Sequence, residues 1–169
     1  LWDTPSLGLT TLASVEDFDR DGQREVLALG RVAVLLDGAT GRELWRYEDP
    51  EGRPLASTSA MVTQADDDPE LEVVLIIVRP TRLVLHDFSQ GFSAQTQRWT
   101  LEDPAVPTNV LRPVLADLGG GGDPDTLLIV NQDRCRVLQV ALDTGALEDI
   151  SDVLNEGRFC YGLTQAVDV

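Results

Sequence analysis

Lysine is absent from this chain. All 13 basic residues are arginines, set against 29 acidic residues for a formal net charge of −16. A surface of that sign repels a phosphate backbone, which argues against a nucleic-acid partner. Histidine occurs once, at His86, and no G-x-S-x-G elbow is present, so a Ser-His-Asp triad has little to be built from. Long apolar runs are missing: the longest, Val73–Val78, has six residues, where a membrane-spanning helix needs about 18 or more. Cysteine is limited to Cys135 and Cys160. Their spacing matches no zinc motif, and they read as a pair formed in an oxidising compartment or as two buried thiols. Methionine does not open the chain, and Leu1 is followed by no signal-peptide pattern, which reads as a processed chain or a stretch of something longer.

Among the 169 residues, 43% are apolar, too many for a disordered acidic tail and enough for one mid-sized core or one sector of a larger ring. The acidic excess has two readings. One is a soluble acidic surface with the arginine usage of a GC-rich genome. The other is adaptation to high salt, or a secreted protein whose aspartates bind cations. Aspartate, with 19 residues to 10 glutamates, is both the turn residue and the short-armed metal ligand.

Three segments share one plan: Leu12–Glu48, Ala60–Glu102 and Leu111–Ile150. Each holds an apolar strand, an acidic or glycine-rich loop, a strongly apolar strand, a further strand and a turn. Glu25, Glu72 and Asp125 each stand immediately before the second strand, giving a period of about 50 residues. Leu163–Asp168 resembles Leu12–Asp17, and Leu1–Pro5 echoes Leu44–Pro50. The runs are short, rich in Val, Leu and Ile, and bounded by Gly, Pro, Asp and Asn, which is the pattern of strands. Asp37-Gly38-Ala39-Thr40-Gly41 and Asp143-Thr144-Gly145 are hairpin turns. Only Ser151–Asn155 has the pattern of a helical turn. Four strands per unit of about 50 residues is the size of a propeller blade.

The expected fold is therefore all-β, with about three four-stranded antiparallel blades of a larger, often seven-bladed, β-propeller. Residues 1–11 close a preceding blade; 12–58, 59–110 and 111–160 are blades; 161–169 open a following one. Trp45 and Trp99 end the last strands of the first two units, with Trp2 as their counterpart, and are expected to pack between blades. Arg79-Pro80-Thr81-Arg82 reads as a solvated hairpin tip. Gly119–Gly122 resembles a phosphate loop only superficially, because a G-x-G-x-x-G pattern would place its last glycine at Pro124.

The sharpest motif is Asp17-Phe18-Asp19-Arg20-Asp21-Gly22-Gln23-Arg24-Glu25. Acids at alternate positions converge only if the backbone curls round a point, and Gly22 permits the curl. The carboxylates of Asp17, Asp19, Asp21 and Glu25, with the carbonyl of Gln23, offer the hard oxygen shell that holds Ca²⁺. An EF-hand loop would need a glutamate at its twelfth position, here Ala28, so this is a β-hairpin calcium loop. The second unit offers Gln64, Asp66, Asp68 and Glu72 as a weaker site, with Pro69 where Gly22 stood. In the third, Asp117 and Asp125 keep the end positions and glycines replace the middle acids, the weakest site of the three.

With its D-x-D-x-D-G-x-x-E loop and its "LDGATGRELW" hairpin, the chain resembles the FG-GAP/VCBS-type repeats of integrin α-subunits and of many bacterial surface proteins. The Asp-Gly-x-Thr-Gly-x-x-x-Trp stretch is also similar to quinoprotein-type blades. The resemblance implies a ring of blades, calcium in the outer loops and an extracellular, cell-surface or periplasmic location. It also implies a non-enzymatic binding or adhesion role toward a protein or glycan. Further blades or a partner chain are expected to cover the open edges. The alternatives are part of a propeller enzyme, either a polysaccharide lyase or a quinoprotein-like dehydrogenase, and a structural subunit of a surface filament or membrane complex.

Overall fold

In a computed structural model, the structure describes residues 8–150 apart from 54, 67, 78–80, 94–95, 108–112 and 132–135, with backbone alone at 56–59. The expectations placed on Leu1–Pro5, Trp2, Cys135, Cys160, Ser151–Asn155 and Leu163–Asp168 lie outside the described residues. Within them the chain is all-β and contains no helix.

Twelve strands form three four-stranded antiparallel sheets. The first holds β1 (Leu9–Glu16), β2 (Glu25–Gly30), β3 (Ala33–Asp37) and β4 (Glu43–Tyr47). The second holds β5 (Leu55–Thr63), β6 (Glu72–Ile77), β7 (Arg82–His86) and β8 (Gln97–Leu101). The third holds β9 (Val114–Ala116), β10 (Thr126–Asn131), β11 (Arg136–Ala141) and β12 (Leu147–Asp149). Each sheet is a meander in chain order, since strands joined by short connections pair with their neighbours in sequence. The β3–β4 turn shows the device: Asp37 Oδ1 accepts the N–H groups of Ala39 and Thr40 at 2.9 and 2.7 Å, and Gly41 takes a φ of 72°.

Side-chain alternation explains the unbroken apolar run of β6 after Glu72. Val73, Leu75 and Ile77 meet Phe18, Leu27, Leu29, Leu35, Trp45 and Tyr47 of the first sheet. Val74 and Ile76 meet Leu127, Ile129, Leu138 and Val140 of the third. The middle sheet is thus packed on both faces, and each fully buried Leu, Ile or Val contributes about 1.5–3 kcal/mol. On the far face of the first sheet, Ala28, Val32, Val34 and Leu36 form a further buried cluster. Strand β5 lies close to β1 and β2, so the first two sheets approach one another at their leading strands.

One indole recurs at each junction. Trp45 Nε1 of β4 donates to Thr96 Oγ1 at 3.0 Å, and Trp99 Nε1 of β8 donates to the carbonyl of Leu142 at 2.6 Å. Both acceptors lie between the third and fourth strands of the next sheet. At 79–82 the sequence expectation needs correcting for Thr81 and Arg82, while 79 and 80 lie outside the described residues. Thr81 is buried and its hydroxyl donates to the Pro107 carbonyl at 2.6 Å. Arg82 forms an ion pair with the buried Asp49. A carboxylate and a carbonyl from neighbouring links draw this turn in, which local composition did not reveal.

Candidate cation sites in the acidic loops

The loop from β1 to β2 is shaped by its own acids. Asp17 Oδ2 accepts the Gly22 N–H at 3.0 Å, Asp19 Oδ1 accepts that of Asp21 at 3.2 Å, and Asp21 Oδ1 accepts that of Gln23 at 2.7 Å. Glu25 Oε2 reaches back to the Phe18 N–H at 2.8 Å. Gly22 (φ 90°) and Arg20 (φ 58°) supply the left-handed turns, a conformation that costs an L-residue about 1–2 kcal/mol.

Asp17, Asp19 and Glu25 each bring one oxygen within 4.8 Å of the others. Asp21 stands outside that trio; its second oxygen takes the Gln23 side-chain amide at 3.3 Å. Burial pushes the Glu25 carboxyl up, against the pull of the Phe18 N–H, and repulsion from Asp19, Asp21 and Asp17 adds to the rise. Asp19 is raised by burial and by Asp21 and Asp17. Asp17 Oδ1 is buried with no hydrogen-bond donor.

The loop from β5 to β6 repeats the plan one position along. Here Asp66, Asp68 and Glu72 converge within 4.8 Å. Asp66 Oδ1 accepts the Asp68 N–H at 3.0 Å, Asp68 Oδ1 that of Glu70 at 3.1 Å, and Glu72 Oε2 that of Ala65. The Ala65–Glu72 bond occupies the position of Phe18–Glu25. Glu72 is fully buried, and its Oε1 and the Gln64 Oε1 have no donor. Burial, with repulsion from Asp66, Asp68 and Asp87, pushes the Glu72 carboxyl up to about 7. Burial and Asp66 push Asp68 up to about 6. Burial also works upward on Asp66, but the Asp68 N–H and the Arg98 guanidinium outweigh it and hold that carboxyl low.

The third loop is satisfied from within. Asp117 accepts the N–H groups of Gly120, Gly121 and Gly122, and Asp125 accepts those of Leu118 and Gly119. A Cβ at Gly119 would sit 2.5 Å from Asp125 Oδ2, so glycine is what lets this N–H approach. All four oxygens of Asp117 and Asp125 thus have donors, and neither residue belongs to a converging trio.

The unpaired oxygens test the fit of a metal. Asp17 Oδ1, Gln64 Oε1 and Glu72 Oε1 are hard donors without protons to receive, a need that a hard dication meets and an apolar group does not. Two acidic trios could therefore hold a metal ion. They are also stitched together: the Leu71 N–H donates to the Phe18 carbonyl at 3.0 Å, and Arg20 Nε donates to the Pro69 carbonyl at 2.6 Å. No known protein family matches the chain, and no curated protein matches it.

Sequence reasoning missed Arg98. It arrives from β8 to pair with Asp66 and lies 3.8 Å from Asp87. Its only sequence signal is a charge where the first unit has Leu44, one residue before the tryptophan that ends the last strand of each of the first two units. Elsewhere, a cleft of about 460 Å³ between the first two sheets is lined by Trp45, Arg46, His86, Phe92, Thr96 and Gln97, among others. No helix among the described residues is long and apolar enough to cross a membrane.

Proposed function

We propose that the chain is part of a β-propeller of the FG-GAP/VCBS type, a non-catalytic binding or adhesion scaffold held by Ca²⁺ and working outside the cytoplasm. The observation that carries this reading is the contrast among the three loops. Where three carboxylates converge, buried oxygens lack donors; where glycines replace the middle acids, main-chain N–H groups meet every oxygen of the two remaining aspartates. Asp17, Asp19 and Glu25 would hold one ion, and Asp66, Asp68, Glu72 and the Gln64 amide oxygen a second. The ion supplies charge neutralisation and cross-linking, and no reaction.

Face-to-face packing of consecutive sheets, the closeness of β5 to β1 and β2, and the repeated indole junction support blades fanned about an axis. Apolar side chains left in solvent, Leu12 at 63% exposure together with Val15, Val114 and Leu118, suit cover by further blades or a partner chain. A protein or glycan would bind at the loops of one rim.

Calcium dependence of the melting temperature tests the proposal. Calcium at a hundred times its dissociation constant adds about 2.7 kcal/mol per site, so chelator should lower the melting temperature by several degrees. The double variant Asp17→Asn with Asp19→Asn should lose the share owed to the first loop. Asp117→Asn should leave the calcium shift intact. A melting curve indifferent to chelator sinks the reading.

A further inference from the structure

The two trios differ in one respect that bears on how they fill. Strand pairing places Leu36 opposite Glu43 and Leu35 opposite Trp45 in the first sheet. It places His86 opposite Gln97 and Leu85 opposite Trp99 in the second. Leu44 and Arg98 are therefore the same extra residue of the same bulge, a feature that re-aims a side chain. In the first sheet that residue is uncharged, and among the described residues no arginine pairs with Asp17, Asp19 or Glu25. In the second it is a guanidinium bonded to Asp66 Oδ2. The other Asp66 oxygen accepts the Asp68 N–H at 3.0 Å, so Arg98 holds the Asp66 oxygen that this main-chain bond leaves open.

Taking the two trios as cation sites, as proposed above, we infer that Arg98 is a tethered counter-cation of the second loop that a divalent ion must displace from Asp66. Two observations and the repulsion of like charges carry this. Glu72 is fully buried with Oε1 lacking a donor, so the loop retains an unmet demand for positive charge that Arg98, bonded to Asp66, does not fill. Two like charges repel at one carboxylate, so ion and guanidinium compete. Asp87 Oδ2 lies 3.8 Å from Arg98 Nη1, and the arginine side chain is 30% exposed, so it has a second carboxylate to swing to and room to do so. The first loop then fills at lower calcium concentration, and the second responds at higher concentration by moving Arg98 from Asp66 to Asp87.

The test is calorimetric titration of CaCl₂ into the full chain carrying Asp17→Asn and Asp19→Asn, with and without Arg98→Leu, the residue found in the first sheet. Arg98→Leu should tighten binding at the second loop at least ten-fold, while lowering the melting temperature in chelator because Asp66 loses its partner. Asp87→Asn, which removes the alternative partner, should weaken binding. Weaker or unchanged calcium binding in Arg98→Leu overturns the inference and leaves the cation reading standing. Absence of calcium binding with and without Arg98→Leu overturns both for this loop.

Discussion

His86 shows how much one residue's surroundings decide. Its Nδ1 lies 2.9 Å from Thr96 Oγ1, which also accepts the Trp45 indole N–H at 3.0 Å. The other ring nitrogen, Nε2, is buried with no hydrogen-bond partner, so a charged ring, protonated on both nitrogens, would bury an unmet N–H there. Trp45 and Tyr47 flank the ring, with centroids 4.9 and 4.8 Å away. Burial pushes its pKa down to about 4. The folded value lies below the unfolded one, about 6.5, so the unfolded chain binds the proton first as pH falls. The contribution to stability is whole above about pH 6.5 and is lost progressively towards pH 4, a difference of roughly 3 kcal/mol. Urea unfolding of the parent and of His86→Phe across this range should show the gap between them closing, or reversing, as pH falls. Parallel profiles would refute the assignment.

Strands in this chain are matched through their connecting turns, and the junction of the second and third sheets shows it. The indole of Trp99 in β8 lies over Gly145 in the turn from β11 to β12; a Cβ there would fall 2.7 Å from the ring, and Gly145 also takes a φ of 71°. Gly120 has a similar φ of 77° with open space around it. Gly120→Ala should therefore cost only the backbone strain, about 1–2 kcal/mol. Gly145→Ala should cost that plus about 1–3 kcal/mol for overpacking. Equal losses in chemical denaturation would show that Trp99 does not hold the junction. At the loops, strand ends and acids are matched in the same way: β2 and β6 open on Glu25 and Glu72, whose carboxylates cap the Phe18 and Ala65 N–H groups.

Across the whole molecule the net charge of −16 acts as self-repulsion, which salt screens over a Debye length of about 10 Å at 0.1 M. Melting temperature should rise when KCl is raised from about 10 to about 300 mM. Calcium at low millimolar concentration should raise it further at fixed ionic strength, because it binds rather than screens. A fall with KCl would mean that specific ion pairs, such as Asp49 with Arg53 and Arg82, outweigh the repulsion.

The all-β class, the register of Glu25, Glu72 and Asp125, and the acidic loops follow from the order of residues alone. Each depends on short-range rules: side-chain alternation, glycine at positive φ, and acids that bond N–H groups two to seven residues away. Which oxygens remain unpaired does not follow from it. Asp21 and Asp19 look equivalent in sequence, yet the turn binds Asp21 to Gln23 and leaves Asp19 facing Asp17 and Glu25. Arg98 comes from 32 residues away to reach Asp66, and the Trp45–Thr96 bond spans 51 residues. The meander of the second sheet brings Arg98 back to Asp66, and the stacking of the first sheet on the second brings Trp45 to Thr96. Local sequence chose the loops that carry charge, and tertiary packing chose which of those charges are answered.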